Sequence, residues 1–103
     1  MEAKEQVIFN KGRYSKELKW LNSDFKIEIE HEYISKYLLT QWENSGATYG
    51  IELIVDFLNA SFILQTYEDS GYSNGHIITT GRIEDISRIT IGFKPTIEKD
   101  NGR

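Results

Sequence analysis

The sequence predicts an α+β fold: an antiparallel sheet of five or six short strands with one helix packed on one face. Three observations lead there. Phe25, Ile27 and Ile29 alternate with Lys26, Glu28 and Glu30, the mark of a strand buried on one side and solvated on the other. Ile34, Tyr37, Leu38, Gln41 and Trp42 recur at helical spacing. Short runs of β-branched and aromatic residues elsewhere are separated by clusters of Gly, Asn, Ser and Asp, which punctuate hairpins.

Taken in order, Val7-Ile8-Phe9 reads as a first strand closed by the turn Asn10-Lys11-Gly12. Arg13 to Leu21 fits helical spacing and alternation equally and stays unassigned. Phe25 to Tyr33 is the one-face-buried strand, and it projects Glu28, Glu30 and Glu32 as a row toward solvent. Tyr33 to Glu43 is the helix, stopped by Asn44-Ser45-Gly46. An all-β barrel or sandwich is the alternative, and it wins if this helix is a strand.

Ile51 to Glu68 fits either period, but β-branched and aromatic enrichment around Asn59-Ala60-Ser61 favours a hairpin. Asp69 to Gly75 is a loop by composition, Ile77 to Thr80 a strand, and Glu84-Asp85 the start of a single helical turn. Ile89, Ile91 and Phe93 form a last strand ended by Pro95. Residues 1–94 make one globular domain and 95–103 a frayed polar tail.

The 103 residues hold no cysteine, which excludes disulfides, thiolate metal sites and cysteine nucleophiles and fits a reducing compartment. The polar start Met1 to Gln6 is unlike a secretory signal, and no apolar run approaches the roughly 20 residues of a membrane helix. A cytoplasmic location is expected, with no membrane partner. The net charge of −4 is uneven: Met1 to Lys26 carries six basic and four acidic residues, whereas Ile27 to Arg103 carries six and twelve. Such a field repels phosphate backbones and draws basic partners, so nucleic acid is not expected to bind. The basic run Lys11, Arg13, Lys16 and Lys19 reads as a solvated face.

Motifs for catalysis are weak. Gly71-Tyr72-Ser73-Asn74-Gly75 matches the G-x-S-x-G nucleophile elbow, but an elbow needs a strand before it and a helix after it. Here a strand is expected to follow. His31-Glu32-Tyr33-Ile34-Ser35 has a serine where a zinc helix needs its second histidine. The pairs Glu68-Asp69 and Glu84-Asp85 read as solvated turn residues. No phosphate-binding glycine loop is present, and no cofactor or metal is implied.

Acid and tyrosine in loops rise above this background. Glu28, Glu30, Glu32, Tyr49, Tyr67, Glu68, Asp69 and Tyr72 are the candidate partner-binding residues, because tyrosine gives contact area at low entropic cost and carboxylates steer basic partners. The expected function is a small acidic protein-binding module, an inhibitor or immunity-type protein engaging a basic site on an effector. The alternative is a small-molecule binder or small enzyme using His31, His76 and nearby carboxylates. A homo-oligomer paired through sheet edges is a further possibility.

Overall fold

The computed structural model describes residues 3–69, 73–90 and 92–93. The chain runs through two helices, α1 (Ala3–Arg13) and α2 (Ser15–Asp24), then five strands: β1 (Lys26–Glu30), β2 (Ile34–Asn44), β3 (Ala47–Asp56), β4 (Ser61–Asp69) and β5 (Ser73–Arg82). A 3-10 turn (Ile83–Asp85) and a short helix, α3 (Ile86–Thr90), follow. The strands pair in sequence order, each antiparallel to the next, as an open five-stranded meander. The class is α+β, with three helices among the described residues in place of one.

Helix α1 forms where a strand is expected over Val7 to Phe9, and α2 takes up the segment for which the sequence favours neither period. Val7, Asn10, Tyr14 and Leu21 are buried along α1 and α2, a helical stripe that the polar Asn10 conceals. Asn10 is tolerated there because its Nδ2 donates to the Phe57 carbonyl at 2.6 Å. Glu5 in the first turn of α1 and Lys11 and Arg13 in the last suit the helix dipole. Phe25 then turns extended (φ −130°, ψ 151°), its N–H still bonded to the Leu21 carbonyl, and the sheet begins.

The segment expected to be the helix, Tyr33 to Glu43, is strand β2. Ser35, Tyr37 and Leu39 are buried on one face, and a bulge between Leu38 and Thr40 shifts the alternation so that Trp42 lies opposite Tyr49. That shift, with Leu38 buried on the other face, imitates a helical period. Although this helix is a strand, the barrel or sandwich does not result, because the helices form elsewhere and cover one face of the sheet.

Asn44-Ser45-Gly46-Ala47 stops no helix but closes the β2–β3 hairpin, with φ of 56° at Ser45 and 82° at Gly46, the two-positive-φ turn that matches strand twist. The β3–β4 hairpin forms as expected. Its turn is held by Asp56, whose Oδ1 accepts the N–H of Leu58 (2.9 Å) and of Asn59 (3.1 Å). The last expected strand is absent over Ile89-Thr90, which end α3; Ile91 and the tail 95–103 lie outside the described residues.

The core joins the helices to one side of the sheet. Tyr37, Leu53 and Leu64 are aligned across β2, β3 and β4, as are Val55 and Phe62, and all of them cluster with Val7, Leu21, Phe25, Ile83 and Ile86. Burying side chains of this size stabilises the fold by about 1.5–3 kcal/mol each before entropy is counted. No described helix covers the opposite face of the sheet, the open face.

Candidate protein-binding groove on the open sheet face

Strand alternation decides which side chains reach the open face. On β3, Leu53 and Val55 point into the core, so Thr48, Gly50, Glu52 and Ile54 point away from it. Gly50 is flanked by Gln41 on β2 and Tyr67 on β4. The Tyr67 ring lies across Gly50: a Cβ built there would stand 2.4–2.7 Å from its Cε2, Cζ and Oη. Only glycine leaves room for that ring.

A groove of about 420 Å³ opens over this floor, lined by Glu28, Lys36, Gln41, Thr48, Glu52, Tyr67 and Glu68. Glu28 and Glu52 thus face Lys36, while Glu68, whose side chain alternates to the other face, borders the rim. Glu52 is nearly buried, with Oε1 3.3 Å from Lys36 Nζ and Oε2 accepting Gln65 Nε2 at 2.6 Å. A buried charge needs such partners, and these fix the carboxylate in one orientation. On the other face of the sheet, to which alternation directs Tyr49 and its partner Trp42, these two rings stack at 6.0 Å with 13° between their planes and border a second hollow of about 190 Å³. Tyr67 and Glu68 line both.

The expected binding residues divide between the faces: Glu28 and Tyr67 line the groove and Glu68 reaches its rim, whereas Tyr49 borders the hollow on the other face. The Glu28, Glu30 and Glu32 row does not survive folding. A bulge between Ile27 and Ile29 breaks the alternation; Ile27 faces Tyr37, Ile29 faces Lys36, and Glu28 is the extra residue that reaches the groove. Glu30 ends β1 opposite Ser35, and Glu32 lies in the exposed connection to β2. The Tyr37 hydroxyl, bonded to Asn22 Oδ1 at 3.0 Å, is pushed up to about 12 by burial and then by the Glu30 charge, which places that charge near the helix layer. Asp69 pairs with Thr48 and Ser73 at the end of β4, its side chain outside the described residues, as is Tyr72.

Sequence reasoning missed Lys36, Gln41, Thr48 and Glu52. The polar members Thr48, Gly50 and Glu52 alternate with Tyr49, Ile51 and Leu53, a signal legible once the strand is begun at Ala47. Comparison with protein-family models, with curated proteins and with solved structures finds no match. The chemistry of the site rests on its own geometry.

The histidines do not share a site. His31 follows β1 and His76 lies on β5, at opposite edges of the sheet, and the register sets them apart along the strands as well, His31 level with Ile34 and His76 level with Thr40 of β2. Among the described residues no group of three or more His, Cys, Asp or Glu side chains is placed to hold a metal ion. No described helix is long and apolar enough to cross a membrane. Ser73 opens strand β5, so no helix follows the G-x-S-x-G serine.

Proposed function

We propose that this chain is a small protein-binding module of the inhibitor or immunity type, which takes a basic site of an effector protein into the groove on the open sheet face. The supporting observation is the lining: Glu28 and Glu52, with Glu68 at the rim, around Lys36, and the Tyr67 ring on the floor. A lysine or arginine entering there meets carboxylates at the end of its stem and the Tyr67 ring along it, the two contacts that suit such side chains. The helix layer, which carries Lys11, Arg13, Lys16 and Lys19, lies on the other side of the sheet, so a basic partner is steered toward the open face. The lack of cysteine suits the cytoplasm, the compartment we assign.

The reading is tested by capturing partners from the native host with the wild-type chain and with Glu28→Lys/Glu68→Lys, then measuring association of the captured protein at stepped salt. The double reversal is expected to slow association at least about tenfold at low salt and to flatten the salt dependence. An association rate and salt slope equal to wild type would rule the groove out as the site.

A further inference from the structure

The two edges of the sheet differ in kind. β1 presents Lys26, Glu28 and Glu30, charges that penalise pairing with any further strand. β5 carries no charged residue from Ser73 to Gly81 and no proline. It is the one strand of the five without a carboxylate, and all of it but the terminal Arg82 falls in residues 70–81, the longest uncharged run of the chain. Ile77 and Ile78 are 63% and 49% exposed on it. Among the described residues β5 pairs only with β4, so alternate N–H and C=O groups along its outer side have no described strand to bond.

We propose that β5 is the interface of a homodimer, in which the β5 strands of two copies pair antiparallel across a two-fold axis and join their sheets into one of ten strands. The choice of a second copy follows from charge. Two chains of net charge −4 repel wherever their acids meet, and β5 is the edge where none do. An antiparallel strand is complementary to itself under a two-fold axis, and with the axis near Ile77 the isoleucines of both copies come together at the seam. The bulge at Ile78, between the Leu64 and Gln65 pairings, limits the regular ladder. One strand pair also falls below the roughly 1,600 Å² of a standard stable interface. The dimer is therefore weak and forms as protein concentration rises. Because the axis stands perpendicular to the sheet, both acidic grooves face the same way, about 24 Å apart by five strand spacings, and a bivalent basic partner gains avidity.

Sedimentation equilibrium of the wild-type chain from dilute to concentrated protein tests this directly, beside Ile77→Lys/Ile78→Lys and the control Ile8→Lys/Phe9→Lys on the exposed face of α1. The wild type and the control are expected to rise from 12.0 kDa toward twice that mass, while the β5 variant stays at 12.0 kDa with an unchanged thermal midpoint. Amide exchange along β5 slows with concentration in the wild type, which reports the interface even where a variant folds poorly. A wild-type mass of 12.0 kDa throughout, with β5 exchange independent of concentration, overturns the proposal. A dimer that persists in the β5 variant or is lost in the α1 control also overturns it, as does a mass that grows past two chains.

Discussion

Gly50 and Gly81 make similar demands with different consequences. Each lies beside an aromatic ring on β4, Tyr67 for Gly50 and Phe62 for Gly81. Tyr67 lines the open groove and has room to turn outward, whereas Phe62 is buried in the core. A Cβ at Gly81 would stand 2.8 Å from Phe62 Cε2, and the ring has nowhere to go. Gly81→Ala is expected to cost about 1–3 kcal/mol by overpacking, and Gly50→Ala about 1 kcal/mol or less while displacing Tyr67 from the groove. Urea unfolding measures both, and equal losses would contradict the assignment of the two faces.

A second prediction at this scale concerns Tyr37. Its hydroxyl is held at about 12 in the fold against 10.0 for the free side chain, so between these values the unfolded chain has lost a proton that the native chain keeps. Stability is therefore present below pH 10 and is lost as pH rises toward 12. The alkaline fall in the denaturation midpoint should be shallower in Tyr37→Phe than in wild type. Identical slopes would mean that Tyr37 is not held as described.

At the scale of elements, what the sequence made legible was the antiparallel sheet, the β3–β4 hairpin and the strand around Ile27. Their signals are local: strict alternation, β-branched enrichment and a turn of polar residues. What stayed hidden has physical causes that act between elements. Asn10 is polar yet buried, because the Phe57 carbonyl 47 residues away satisfies it, so the apolar stripe of α1 has a gap in one dimension and none in three. The bulges in β1 and β2 each insert one residue, which converts a period of two into a pattern resembling a helix on β2 and dissolves the acidic row on β1. The groove was half legible: Glu28, Tyr67 and Glu68 were chosen for charge and ring, while Glu52 and Lys36 meet only through strand register.

Turn chemistry also yields a prediction at this scale. Ser45 adopts φ 56° ahead of Gly46 at 82°, a conformation that asparagine enters more easily than serine. Ser45→Asn should raise stability by about 0.5–1 kcal/mol without altering the groove. A thermal midpoint that falls would show that the turn is of another type.

For the whole molecule, the account joins a covered face and an open one. The helices bury one side of the sheet and carry the basic run of the N-terminal segment, and Glu28 and Glu52 on the strands give the open side its acid. Binding at that side is the central claim, and its most direct test is an amide NMR titration of the intact chain with a short oligo-arginine peptide, repeated with an oligo-glutamate control. The account predicts that shifts with oligo-arginine centre on Glu28, Lys36, Gln41, Thr48, Glu52 and Tyr67, and that the control leaves those amides unmoved. Shifts spread evenly over exposed acids such as Glu32 and Glu43, or centred on the helix layer, would contradict it.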